Sequence, residues 1–93
     1  MHGEYKTPGG KLVVADFAVA DGRLREVRVS GDFFLYPEEA LGTIASALEG
    51  APATEDQAAL TTRIATALAP EVTMLGFSPD AVARAVRRGL GDA

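Results

Sequence analysis

The chain has no cysteine, no tryptophan and a single histidine among its 93 residues. Without cysteine there is no disulfide framework, no thiolate metal site and no thiol nucleophile, which suits a reducing, cytoplasmic setting. The one histidine, His2, lies in a polar, glycine-rich opening stretch (residues 1–10) that is expected to fray. A histidine-based metal site or a Ser-His dyad is therefore not expected. No run of 18 apolar residues and no signal-peptide core occurs, so no membrane association is expected. Basic residues are also scarce, 9 against 13 acidic ones for a net charge of −4. A fold built to hold nucleic acid carries the opposite balance.

What is present is ordinary globular material, 47% hydrophobic and 24% charged, and residues 1–93 read as one domain. Residues 11–19 alternate as a strand, with Val13, Ala15, Phe17 and Val19 on one face. Ala20-Asp21-Gly22-Arg23 is a two-residue hairpin signal. Residues 24–30 return, with Val27 and Val29 inward and Glu26 and Arg28 outward. From Pro37 the period becomes helical. Leu41, Ile44, Ala45 and Leu48 make one stripe, closed by Gly50. Thr54 and Gln57 read as a capping box, Leu60, Ile64, Ala67 and Leu68 as a second stripe, and Pro70 as its stop. Ser78-Pro79-Asp80 starts a third helix, with Val82, Ala85, Val86 and Leu90 inward and Arg84, Arg87 and Arg88 solvated. Residues 72–77 read as an apolar connector packed under the helices.

The least ordinary stretch is Gly31-Asp32-Phe33-Phe34-Leu35-Tyr36-Pro37-Glu38-Glu39. A strand with one wet face alternates, and this one does not. Phe33 and Leu35 point one way, Phe34 and Tyr36 the other, so both faces call for cover. Pro37 suits a first helical turn, and Glu38 and Glu39 suit the positive end of the helix dipole. The expected architecture is α+β: a three-stranded antiparallel meander ending in this strand, then three helices packed on one sheet face. Three short helices leave the other face, with Leu12, Val14, Phe34 and Tyr36, for a partner.

Two strings, Lys6-Thr7-Pro8-Gly9-Gly10-Lys11-Leu12 and Gly31-Asp32-Phe33-Phe34, occur with the hairpin between them and Leu75-Gly76-Phe77-Ser78-Pro79-Asp80 downstream. Together they make the chain resemble the C-terminal accessory domain of lipoate–protein ligases, over nearly all of residues 4–90. The resemblance implies a small fold similar to the sulfur-transfer and iron–sulfur scaffold proteins. It also implies a role beside a separate catalytic ligase subunit that binds ATP, Mg and lipoate, forms lipoyl-adenylate and lipoylates a carrier domain. Lipoyl carrier domains are then a further candidate partner. The chain would bind no cofactor alone and hold no catalytic residue.

Individual residues carry two readings each. Lys6, Gly9, Gly10 and Lys11 form either a turn that contacts the nucleotide or the partner's active site, or a solvated turn leading a strand. They are not a P-loop, since the longer glycine spacing and the Lys-Ser/Thr end are missing. Asp32 either orients a partner group or accepts a turn amide. Phe34 and Tyr36 are interface anchors if Phe33 and Leu35 face the helices. The arginine stripe is a soluble face or a docking site for an acidic carrier. A non-catalytic scaffold or a self-associating module stands as the alternative function.

Overall fold

Strand β2 (Leu12–Ala20) is the centre of the molecule, paired on both sides. The computed structural model describes residues 1–92. Strand β1 (His2–Lys6) and strand β3 (Arg23–Gly31) flank β2 in an antiparallel sheet of order β1-β2-β3. A two-stranded ribbon lies apart from it, made of β4 (Phe34–Tyr36) and β5 (Thr73–Leu75). Helices α1 (Ala40–Leu48), α2 (Gln57–Ala67) and α3 (Pro79–Gly89) complete an α+β fold.

The β2–β3 hairpin forms where the sequence places it. Asp21 and Gly22 both have positive φ, 54° and 73°, as a two-residue turn between right-twisted strands requires. Val13, Ala15 and Phe17 of β2 and Val27 and Val29 of β3 are buried beneath the helices. α3 lies against β1 and β2, α1 against β3, and α2 rests on α1 and α3. Ile44, Leu48, Leu60, Ile64, Val82 and Val86 close the core between these layers at 0–1% exposure. Each contributes about 2 kcal/mol by leaving water.

The third strand of the sheet is β1 and not residues 33–36. The opening stretch is ordered because α3 seats on it. A Cβ at Gly3 would lie 1.9 Å from Ala85 O and 2.4 Å from Gly89 N, so only glycine allows this approach. Gly89 answers from the helix, where a Cβ would meet the Phe17 ring at 2.8 Å. The segment 72–77 is likewise not an unpaired connector, because its Thr73–Leu75 portion gives the apolar strand its partner.

There are smaller departures too. α1 opens at Ala40, so Pro37, Glu38 and Glu39 precede its first turn, and the Tyr36–Pro37 bond is cis. The α2 cap is Asp56, which accepts Ala59 N–H at 2.8 Å, two residues beyond the expected Thr54. Gln57 turns instead to Asp80, 2.8 Å away. Ala67, in the last turn of α2, is exposed, because that helix touches its neighbours along a narrow line through Leu60 and Ile64. Ser78 caps α3 as expected, accepting from Ala81 N–H at 3.2 Å.

The arginine stripe is not a solvated face. Arg87 donates to Ala53 O and Glu55 O at 3.1 and 3.0 Å and pairs with Asp92. That pairing holds the Asp92 carboxyl below its ordinary range. Arg88 donates to Glu4 O at 3.2 Å, and its guanidinium lies over the Tyr5 ring with that of Arg84, 5.1 and 4.8 Å from the centroid. Only Arg84 is exposed.

Two outcomes are expected. Gly3→Ala forces α3 off β1 and costs about 3 kcal/mol in urea denaturation, while Gly22→Ala, with open space around its Cβ, leaves α3 seated. His2 joins β1 to β2, with Nε2 2.6 Å from Glu4 Oε2 and Nδ1 2.6 Å from Asp16 Oδ1. Glu4 first, then Asp16, raises its pKa above the ordinary value; Arg28 lies across from Asp16 on β3. The stabilising contribution is full below about pH 6.5 and lost as pH rises through the higher folded pKa. His2→Gln should remove that part of the pH dependence of unfolding.

Candidate interaction surface

The three strings that stand out in the sequence meet at one end of the molecule. Thr7 Oγ1 lies 3.0 Å from Gly76 O and 3.2 Å from Lys11 O, tying the β1–β2 turn to the β5–α3 loop. Lys11 folds its stem over Gly76, where a Cβ would lie 2.6 Å from Lys11 Cγ. Leu12 N–H donates to Asp32 Oδ1 at 2.5 Å, and Asp32 N–H returns to Leu12 O at 3.2 Å. The Asp32 carboxylate thus accepts a main-chain amide, that of the first residue of β2. Phe33 and Phe77 stack with centroids 3.8 Å apart and planes 22° apart, adding about 1 kcal/mol to their burial.

This stitching lays one face of the ribbon against the rest of the fold and leaves the other in water. Leu35 turns inward at 8% exposure, with Met74 opposite it half-buried. Phe34 and Tyr36 therefore turn outward, at 57% and 63% exposure. Leu75, directly opposite Phe34 in the register, is 57% exposed. Phe34, Leu75 and Tyr36 are thus the large apolar side chains this end leaves in water. Leu75 was not legible as a surface residue from sequence, since residues 72–77 carry no polar alternation. An unpartnered apolar strand at residues 33–36 was the available signal that a second one must exist.

The outer face of the main sheet is less apolar than the sequence suggests. Leu12 and Val14 lie on it but are half-buried. Their register neighbours are the polar residues Lys6, Glu4 and Ser30. The surplus of apolar surface belongs to the ribbon and not to the sheet.

Lys6 and Lys11 are exposed, on either side of Gly9 and Gly10, whose φ values are 98° and 92°. Lys6 leans back toward Gly10, its Cε 3.7 Å from where a Cβ would stand. The two ammonium groups flank the turn without an ion-pair partner among the described residues. Glu38 and Glu39 are exposed beside the start of α1. No three His, Cys, Asp or Glu side chains converge as a metal site requires, among the described residues. This end offers groups suited to binding, an aromatic patch and two cations. Phe34→Ala is expected to change stability by about 0.5 kcal/mol or less in urea denaturation, whereas Leu35→Ala costs about 2–4 kcal/mol.

No protein-family model matches the chain, and no curated protein matches it. A solved structure does, with a TM-score of 0.70 and 22% identity over 94% of this chain and 98% of the other. That chain comes from a structural analysis of an archaeal lipoylation system, a bipartite lipoate protein ligase and its E2 lipoyl domain from Thermoplasma acidophilum. At this identity the likeness establishes a shared α+β fold from end to end.

Proposed function

We propose that this protein is the accessory subunit of a two-protein lipoate–protein ligase, needed with a separate catalytic subunit to activate lipoate with ATP. The observation that carries the reading is the exposed Phe34–Leu75–Tyr36 patch, built where the three resemblance strings converge. The end-to-end fold likeness to a chain of a bipartite ligase system supports it.

ATP, Mg and lipoate are assigned to the catalytic partner. This chain's part is to dock through the ribbon, its aromatic side chains leaving water against the partner. Docking brings the Lys6–Lys11 turn to the partner's surface, since Thr7 and Lys11 are fastened to the β5–α3 loop. There the two ammonium groups would sit beside developing phosphate charge, and the frame would exclude water from a hydrolysable acyl-adenylate. Lipoyl carrier domains are a later partner of the assembled pair, and the place of action is the cytoplasm.

The test is lipoate-dependent ATP–pyrophosphate exchange by the catalytic subunit, with and without this protein. Exchange is expected to rise at least tenfold on addition. Lys11→Ala should lower that stimulation without weakening association. No stimulation, together with a tight homodimer that ignores the ligase, would favour the self-associating module.

A further inference from the structure

Both edges of the main sheet are obstructed along most of their length. At the β1 edge Arg88 donates to Glu4 O at 3.2 Å, and α3 crowds Gly3. At the β3 edge Gly50 N–H donates to Leu24 O at 2.8 Å and Leu24 N–H to Ala51 O at 2.9 Å. Further along, the Glu49 carboxylate takes Glu26 N–H and Val27 N–H at 3.1 and 3.3 Å, where Glu26 bulges with φ of 55°. Past Val27 the obstruction stops.

The ladder phase fixes which groups are left over. Asp32 N–H donates to Leu12 O, and Val14↔Ser30 and Asp16↔Arg28 follow two and four positions along. Antiparallel pairs alternate between bonded and non-bonded. Arg28 and Ser30 therefore bond to β2, while Val29 and Gly31 turn their N–H and C=O groups away from it. Neither amide donates to any group outside the ladder among the described residues. Unpaired strand edges accept further strands.

This open run borders two adjoining clefts of about 660 and 490 Å³ that share Ser30, Glu38 and Leu41. Gly42 of α1 lines the larger one. A glycine inside a helix costs about 1 kcal/mol relative to alanine. Gly42 has no internal reason to be one, because a Cβ there meets nothing within 4 Å. A glycine of that kind suits the close approach of another backbone.

The geometry points to a strand-addition site: an extended segment of the protein partner pairs main chain to main chain with the Val29–Gly31 run, placing small apolar residues over Gly42 and a carboxylate beside Arg28. Arg28 is exposed and in no ion pair among the described residues, so the next strand position favours an acid. A second β3, which itself carries Arg23, Arg25 and Arg28, brings the wrong sign. The groove ends at Phe34, so added strand and ribbon patch make one continuous surface. Main-chain pairing of this kind supplies affinity, and the alternate pockets supply selectivity.

That the partner is the catalytic ligase subunit rests on the proposed function. The experiment mixes that subunit with the ¹⁵N-labelled chain and follows amide hydrogen exchange. Exchange at Val29 and Gly31 is expected to slow at least tenfold in the complex. Gly42→Phe, whose Cβ meets nothing within 4 Å, should keep the fold and weaken binding at least 100-fold, and Gly42→Ala should raise Tm yet weaken binding. A complex in which Val29 and Gly31 exchange unchanged and Gly42→Phe binds as tightly as the parent overturns the groove and leaves the accessory role standing. Absence of any complex overturns both. Protection of these amides in the isolated protein that grows with concentration gives the edge to a second copy and also overturns the proposal.

Discussion

The closeness of α3 to β1 at Gly3 organises the rest of the molecule. Ala85, Gly89 and Gly3 bring helix and strand backbones together with no side chain between them, and Phe17 fills the flank. This contact recruits the polar opening stretch as the third strand of the sheet. With β1 and β3 both paired to β2, the place beside β2 expected for residues 34–36 is taken. They pair with Thr73–Leu75 outside it, and two aromatic side chains are left in water as a result. The exposed patch follows from a contact at the opposite edge of the sheet.

Polar contacts do the local fastening. Asp32 closes the junction between β3 and the ribbon, Thr7 links two loops, and the Glu49 carboxylate satisfies two amides at the bulge. Each is a side chain reaching across from a different element. Bonds of this kind contribute about 1 kcal/mol apiece, but their larger effect is to fix the angle at which the ribbon leaves the sheet. Arg87 does the same for the C-terminal end of α3, holding it to the α1–α2 linker through two carbonyls.

Elements whose reasons are local were legible in the sequence. Asp21-Gly22 makes a turn by its own backbone preferences, Ser78-Pro79 caps a helix within four residues, and the alternation of β2 assigns its buried face. Spacing also separates Phe33 and Leu35 from Phe34 and Tyr36, though either pair could turn inward; the packing puts Leu35 in and Phe34 out. Other features depend on what arrives from elsewhere. Gly3 reads as a breaker until α3 is laid beside it. The fate of Arg87 and Arg88 is set by Ala53, Glu55, Glu4 and Tyr5, none of them nearby in sequence. β5 is three residues long and takes its meaning from β4. In the candidate surface, Phe34, Tyr36, Lys6 and Lys11 stand out as residue types, while Leu75 and Gly42 acquire interest only from position.

The aromatic patch joins residues about forty positions apart, Phe34 on one strand and Leu75 on the other. No nascent fragment ending before residue 75 can display it, and neither can an unfolded copy. A companion that grips this patch therefore recognises finished molecules only. By holding them it also shifts the folding equilibrium in their favour. Binding at this patch would then act as a proofreading step on the folded chain.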